Sequence, residues 1–463
     1  MRIGAIDHRP SEITEGPIWK PLMSFFFPIW LGTFFQQFYN TADAMIVGNF
    51  VGTTALAAVG ATSAIINLLV GFFTGLASGA SVVISQHFGA GEHAAVSKSV
   101  HTSMILAAVG GLGITVVGIA LTPFSLRLMN TPQEVMADAI IYMRIYYLGM
   151  IPLMLYNMGT SALRAIGDSR RPVYFLIISA ISNIVLDLLF VTVIPMGVAG
   201  AALATVLSEV IAAVLVLLCL THASGKPWQL QREALHVDRT QLREICRLGL
   251  PAGLQSVLYT ISNMVIQASI NGFGTDTVAA WTVYGKVDFL YWMTVNAMGL
   301  SITTFSGQNF GARKYDRMKK GTLAALGITA ILTVMISSSL LLFAKPILRL
   351  FTSDTNVTDI TLDMMFFLAP TYITYICVEI FSGTVRGAGD AVAPTIMTCF
   401  GVCVLRVLWI VIAVPMNPTI IMVEWSYPLT WSFTSVLYLI YYFQGGWLRR
   451  RKRIQDMLLV QDT

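Results

Sequence analysis

Apolar residues along this chain occur in long blocks, separated by short polar segments rich in glycine and proline. A helix needs about 20 apolar residues to cross the hydrocarbon core of a bilayer. A membrane β-barrel would instead show short segments of alternating polarity. The pattern therefore predicts an all-α polytopic membrane protein with twelve transmembrane helices. These predicted spans cover residues 18–47, 54–85, 94–122, 133–161, 172–194, 198–221, 241–271, 277–307, 317–344, 356–384, 392–414 and 420–446.

The first half of the sequence recurs in the second half at an offset of 222–223 residues. Residues 86–90 (QHFGA) match 308–312 (QNFGA), and residues 164–168 (RAIGD) match 386–390 (RGAGD). Six spans per repeat give both halves the same orientation, so we expect two six-helix lobes related by an axis along the membrane normal, with a central site. The predicted organisation is an N-lobe (1–221), a cytoplasmic linker (222–240), a C-lobe (241–448) and a basic cytoplasmic tail (449–463).

The composition supports this membrane class, because the chain is 56% hydrophobic and only 11% charged, against about 25% charged in soluble proteins. Of the 29 Lys and Arg residues, 23 lie in the segments predicted to face the cytoplasm and 3 in those predicted to face outside. This asymmetry predicts a multi-pass protein of the cell membrane with both termini in the cytoplasm. The net charge of +5 therefore reports topology, and no nucleic-acid partner is expected. The basic run 449–453 is expected to lie against anionic lipid headgroups.

Two acidic residues, Asp43 and Asp187, lie inside the predicted first and fifth spans. A carboxylate in hydrocarbon costs several kcal/mol unless it faces a cavity, holds a proton or meets a cation. The repeat places Ile266 at the position of Asp43, and Trp409 or Ile410 at the position of Asp187. The acidic pair therefore belongs to the first half alone, as expected for a functional site that is used once.

Helix geometry places these acids near two further polar groups. Counted from the outer ends of their spans, Asp43, Asp187 and Thr205 lie roughly 7–11 Å below the outer surface. Asn183 precedes Asp187 by one helical turn and projects from the same face. Two carboxylates, an amide and a hydroxyl at one level form an oxygen site that suits Na⁺ or a shared proton. The structural alternatives are a local cap or pairing role for Asp43, and interhelical hydrogen bonds for Asn183 and Thr205.

With Pro28 in the first span and the two repeated loop motifs, these features resemble the multidrug and toxic compound extrusion (MATE) transporters, from about Trp19 to Trp447. The resemblance implies two lobes around a central cavity. It also implies export of organic cations and other amphiphiles, driven by a gradient of Na⁺ or H⁺. Its N-lobe cation site corresponds to Asp43, Asn183, Asp187 and Thr205, which would be the Na⁺ ligands if Na⁺ is the coupling ion.

The resemblance is closest to the bacterial and archaeal branch with an N-lobe acidic pair. Some other branches couple through C-lobe acids in helices 7 and 10, where this chain offers Gln255 and Glu379. Glu209 lies one turn beyond Thr205 and is a candidate for a further acid next to the cation site. Asp288 either lines the cavity or pairs with a residue on another helix. The candidate cavity-lining residues are Tyr39, Asn40, Asn157, Glu209, Asp288 and Glu379.

Other functions are less consistent with the sequence. The glycine-containing loop 89–91 lacks a phosphate-binding lysine, so no nucleotide cofactor is expected and an ion gradient must supply the energy. We therefore predict a monomeric secondary antiporter that exports amphiphilic organic cations by alternating access. A lipid-linked precursor flippase of the same superfamily is an alternative, but its anionic substrate suits an acidic N-lobe poorly. A membrane-embedded enzyme is disfavoured because no catalytic constellation occurs at membrane depth.

Overall fold

The computed structural model describes residues 13–462, with side chains as far as Met457. The beginning of the predicted cytoplasmic N-terminus, residues 1–12, lies outside them. Each of the twelve predicted spans corresponds to helical structure, and the described residues contain no strand. The first half comprises α1 (Trp19–Ile46), a π-helical turn (Val47–Val51), α2 (Thr53–Ala90), α3 (His93–Leu128), α4 (Gln133–Leu148), α5 (Met150–Ala165), α6 (Arg170–Asp187), a second π-helical turn (Leu188–Val193) and α7 (Val198–Thr221).

The second half follows a short 3₁₀ turn in the linker (Arg232–Ala234). It comprises α8 (Arg239–Ile270), a 3₁₀ turn (Asn271–Phe273), α9 (Thr275–Gly311), α10 (Tyr315–Leu342), α11 (Ala344–Leu348), α12 (Thr355–Leu368), a 3₁₀ turn (Ala369–Thr374), α13 (Ile376–Gly387), α14 (Val392–Thr398), a π-helical turn (Cys399–Val404), α15 (Leu405–Met416), α16 (Ile420–Gln444) and α17 (Gly446–Asp462).

Within the described residues, seven helices are both long and apolar enough to cross a membrane, or eight if α4 and α5 count as one span. The four other predicted spans are α1, α8, α9 and α16, which are 28, 32, 37 and 25 residues long. They are long enough to cross, but polar and aromatic side chains interrupt their apolar character. These four therefore contribute much of the polar surface available for a site inside the protein.

The fourth and tenth predicted spans are broken rather than continuous. The fourth consists of α4 and α5, which meet at Gly149 with a bend of 47°. The tenth consists of α12 and α13 with a 3₁₀ turn between them. Pro152 follows the bend in the fourth span, and Pro370 lies within the 3₁₀ turn of the tenth. Proline has no N–H to continue the helical ladder and clashes with the preceding turn, which explains why the α-helix is interrupted in each span.

Tertiary contacts divide the described chain into two compact units. The first unit is Phe27–Gly253, and the second unit comprises the described residues up to Phe26 together with those from Leu254 onward. The predicted boundary between the two lobes is the linker 222–240, whereas the observed boundaries between the two units fall inside α1 and α8. The beginning of α8 therefore groups with the first half of the sequence.

A close helix crossing explains why the beginning of α8 belongs to the first unit. Gly75 and Gly79 on α2 face Gly253 and Gly249 on α8. A Cβ added to Gly75 would lie 2.4 Å from the backbone nitrogen of Gly253, and one added to Gly79 would lie 2.4 Å from that of Gly249. Both helices thus present a Gly-x-x-x-Gly face that allows their backbones to touch. The Gly-x-x-x-Gly spacing of each helix is visible in the sequence, but the pairing of these two helix faces was not predicted.

The linker packs on the first unit through polar contacts. Asp238 caps the start of α8 by accepting hydrogen bonds from the backbone N–H groups of Thr240 (2.9 Å) and Gln241 (3.1 Å), and it pairs with Lys98 at 3.4 Å. The Gln241 N–H bond, followed by Lys98, holds the pKa of Asp238 below its ordinary value. The Nε2 atom of His101 on α3 accepts a 3.0 Å bond from the backbone N–H of Gln231.

The predicted basic tail forms helix α17 and docks on the second unit. Arg451 is only 7% exposed, and its Nε donates to the carbonyl oxygen of Ala388 at 3.0 Å. Arg450 forms an ion pair with Asp390. Carbonyl groups at the C-terminal end of a helix attract cations, which explains this placement next to α13. The expectation that the whole basic run lies against lipid headgroups is therefore wrong for the buried Arg451, and it stays a prediction for Arg450, which is exposed.

An N-terminal segment docks on the same unit. The guanidinium of Arg317 donates to the backbone carbonyl groups of Ile13 (3.1 Å), Glu15 (2.8 Å) and Gly16 (2.7 Å). Lys314 donates to the carbonyl of Thr14 at 3.0 Å. The segment before α1 is thus held mainly through its backbone.

Arg317→Ala is expected to release this segment. Loss of three partly exposed charged hydrogen bonds should lower its local stability by about 1–2 kcal/mol, which corresponds to roughly tenfold faster amide exchange. Hydrogen–deuterium exchange of peptides covering residues 13–18 measures this change. Lys320→Ala removes an exposed charge from the same helix and should leave the exchange unaltered. Equal exchange rates in Arg317→Ala and the unmodified protein would contradict the assignment.

Candidate functional site

Asp43 on α1 and Asp187 on α6 lie near each other within the first unit, where each carboxyl group is within the electrostatic range of the other. Asp187 is completely buried, whereas Asp43 is partly accessible. A π-helical turn begins directly after Asp187 and four residues after Asp43. Such turns shift the backbone register and are frequent at functional sites. This repeated local geometry was not predicted from the sequence.

The acidic pair lacks hydrogen-bond donors. Among the described side chains, Oδ1 of Asp43, both carboxylate oxygens of Asp187 and both amide atoms of Asn183 are buried without a partner. A buried carboxylate without donors is strongly unfavourable unless a proton or a cation neutralises it. The donor set therefore fits a monovalent cation or a shared proton. No group of three His, Cys, Asp or Glu residues able to hold a metal occurs in the described part of the chain, so amide, hydroxyl or carbonyl oxygens would complete any Na⁺ site.

The other two predicted ligands are placed differently. Asn183 is 0% exposed and lies one turn before Asp187 on α6. Thr205 lies on α7, which packs against α6, and its hydroxyl donates to the carbonyl of Ala201 at 3.1 Å. Among the described residues, no hydrogen bond joins Thr205 to either carboxylate. The structure therefore brings the two acids together and leaves the roles of Asn183 and Thr205 as predictions.

Tyrosines surround this part of the first unit. Tyr39 on α1 and Tyr142 on α4 each lie within electrostatic range of both Asp43 and Glu209. The rings of Tyr142 and Tyr146 are nearly parallel, with centroids 6.3 Å apart. Tyr142 and Tyr146 were missed in the sequence, although two aromatic residues four apart in one predicted span would face the same side.

Two candidate cavity-lining residues of the first half have less distinctive surroundings. Asn40 is exposed. Asn157 is half-buried and donates to the carbonyl of Leu153 in its own helix at 3.0 Å. These surroundings argue neither for nor against a role in lining a cavity, which stays a prediction for both residues.

Unlike the acidic pair of the first half, the two candidate acids of the second half have hydrogen-bond donors. The Asp288 carboxylate accepts hydrogen bonds from the Tyr372 hydroxyl, from the Tyr284 hydroxyl at 3.4 Å and from Trp292 Nε1 at 2.6 Å. Glu379 accepts a long bond, 3.5 Å, from the Tyr375 hydroxyl. Neutral donors stabilise an ionised carboxylate without a bound cation. Asp288 therefore pairs with residues on its own helix and on the broken tenth span, and the need for a cation is greatest at Asp43 and Asp187.

Comparison with known proteins gives consistent results. A family model described as MatE matches residues 28–189 and again 251–412, which correspond to the two copies of the repeat. The probable multidrug resistance protein YoeA of Bacillus subtilis is 29% identical over 445 residues, covering 94% of this chain and 95% of that protein. A FAD transporter of Shewanella oneidensis is 27% identical over 358 residues, covering 75% of this chain and 77% of that protein.

Solved structures share the fold. One is described as the outward-facing conformation of a multidrug resistance MATE family transporter of the MOP superfamily. It matches with a TM-score of 0.88 at 23% identity, covering 98% of this chain and 100% of that one. A MOP superfamily transporter from Pyrococcus furiosus, whose description refers to a binding pocket of reverse polarity, matches with a TM-score of 0.88 at 23% identity. These matches support the twelve-helix architecture.

Proposed function

Because the chain belongs to the MatE family of membrane transporters, we propose that it is a secondary antiporter that exports amphiphilic organic cations in exchange for H⁺ or Na⁺. It is a transporter and not an enzyme. The observation that carries the proposal is the proximity of Asp43 and Asp187, because Oδ1 of Asp43 and both carboxylate oxygens of Asp187 are buried without a donor.

In the proposed cycle, the outward-facing state admits the coupling ion to the acidic pair. A proton is shared between the carboxyl groups, or Na⁺ is held by both carboxylates with the amide of Asn183 and the hydroxyl of Thr205. Either ion removes the desolvation penalty of enclosing two negative charges, so that the protein closes on the outside and opens inside. Loss of the ion to the cytoplasm restores the negative charge and allows a new substrate to bind.

Charge favours a cationic substrate. The described interior of the first unit carries Asp43, Asp187 and Glu209, none of them in an ion pair with a basic residue. Such an interior attracts organic cations and repels anions. This disfavours a lipid-pyrophosphate substrate and also FAD, the substrate named for the Shewanella relative. The basic residues of the predicted inner segments support cytoplasmic termini, and we propose that the protein acts as a monomer.

Transport by purified protein in proteoliposomes tests the function. We expect accumulation of ethidium or tetraphenylphosphonium when a pH gradient or a Na⁺ gradient is imposed separately, and the effective gradient identifies the coupling ion. Liposomes without protein are the control, and labelled FAD is the competing substrate. Movement of FAD with no movement of either organic cation would overturn the proposal.

A further inference from the structure

Glu209 places a third carboxylate deep in the first unit, apart from the acidic pair. It lies eleven residues after Val198 at the start of α7, about 17 Å along the helix axis and hence near the middle of a membrane. Its Oε2 atom is buried without a hydrogen-bond partner, and no basic residue of the described chain forms an ion pair with it. The residue is nevertheless partly accessible. A carboxylate at this depth requires a positive partner or a proton.

Three tyrosines lie near this carboxylate. Tyr39 from α1 and Tyr142 and Tyr146 from α4 all lie within its electrostatic range. On another side is Gly149, at the bend between α4 and α5, where an added Cβ would lie 2.5 Å from Oε2. A larger residue at this bend would displace the carboxylate from its observed position. A carboxylate among aromatic rings is the environment that stabilises an organic ammonium or phosphonium ion.

We propose that Glu209 binds the positive charge of the exported substrate. This inference rests on the function proposed above. A metal ion requires several oxygen ligands at fixed distances, and among the described residues Glu209 belongs to no group of three His, Cys, Asp or Glu side chains that could hold one. A large organic cation has a diffuse charge and needs one anion with apolar or aromatic walls. The site therefore matches an organic cation better than it matches Na⁺.

The arrangement separates substrate recognition from ion coupling. Glu209 lies one turn beyond Thr205, about 6 Å further along α7 towards the predicted cytoplasmic side. Tyr39 and Tyr142 each lie within the electrostatic range of both Glu209 and Asp43. An ion at the acidic pair therefore lies close enough to influence a cation at Glu209 without occupying the same carboxylate.

Binding of tetraphenylphosphonium to the purified full-length protein tests this site. Glu209→Gln keeps the size of the side chain and removes its charge, and we expect affinity to fall at least roughly tenfold, which is 1.4 kcal/mol. Glu209→Asp should retain part of the affinity because it keeps the charge. Glu424→Gln makes the same change at a buried glutamate of the second unit and should bind within about twofold of the unmodified protein.

A second measurement uses the unmodified protein and so does not depend on the folding of a variant. Hydrophobic carbodiimides react with buried protonated carboxyl groups, and tetraphenylphosphonium should protect Glu209 from this reaction, as followed by peptide mass spectrometry. Undiminished affinity of Glu209→Gln, or labelling of Glu209 that saturating tetraphenylphosphonium leaves unchanged, would overturn this inference alone. Failure of the unmodified protein to bind or move any organic cation would instead overturn the proposed function.

Discussion

Asp187→Asn is expected to abolish coupled transport while leaving a folded protein. Asp187 is completely buried beside Asp43, and neither of its oxygens accepts a hydrogen bond from a described residue. Asparagine has nearly the same size, so packing is preserved, but its neutral amide neither takes up a transferable proton nor supplies the negative charge that Na⁺ would balance. We expect gradient-driven ethidium transport in proteoliposomes to fall by roughly 100-fold or more, as for other groups that act only through their charge.

The same substitution should raise thermal stability by a few degrees. It removes the repulsion and desolvation of a second buried carboxyl group that has no donors. Asp359→Asn, a change at an exposed position at the start of α12, is the matched control and should alter neither transport nor melting temperature. Normal transport rates in Asp187→Asn would exclude a coupling role for the pair. Loss of transport together with aggregation would point to a structural role.

Gly79→Val is expected to prevent assembly of the first unit. The space beyond Gly79 is filled by the backbone of Gly249 on α8, 2.4 Å from the position of an added Cβ. Backbone atoms cannot rotate away as a side chain can, so the two helices would have to separate. Even Gly79→Ala should cost about 1–3 kcal/mol by overpacking, and the branched valine should leave little monodisperse protein.

Gly60→Ala on the same helix provides the control, because no atom lies within 4 Å of the Cβ it would add. Alanine has a higher helix propensity than glycine, so this change should be neutral or stabilising by about 0.5–1 kcal/mol. Size-exclusion chromatography and thermal unfolding in detergent compare the variants. A melting temperature of Gly79→Ala equal to that of Gly60→Ala would show that the α2–α8 crossing is looser than the structure indicates.

Most of the helical architecture could be predicted from the sequence, for a physical reason. A segment in lipid must satisfy its own backbone hydrogen bonds and span the hydrocarbon, so the length and polarity of each apolar run indicate a helix directly. The repeat predicted two six-span halves, and the family match to residues 28–189 and 251–412 follows the same division. The glycine and proline residues at the interruptions of the fourth and tenth spans, Gly149 and Pro370, are also visible in the sequence.

The site could be predicted only in part. Charge in an apolar run identified Asp43 and Asp187 as functional candidates, because such residues are too unfavourable in lipid to be retained without a partner. The surroundings of Glu209 could not be inferred, since they come from α1, α4 and the bend after α4. The donors to Asp288 come from its own helix and from the tenth span, and only a three-dimensional arrangement shows that they satisfy it.

The sequence alone therefore determined the membrane class, the helices, the internal repeat and the two acids that mark the candidate site. Those properties depend on local polarity and on the bilayer, which act on each segment separately. The tertiary structure decided that residues 43 and 187 lie close together, that α8 crosses α2 through paired glycines, and that α17 docks on its own protein. These features depend on close packing between segments distant in sequence. The hydrophobic periodicity of a segment does not indicate which helix faces pack against each other.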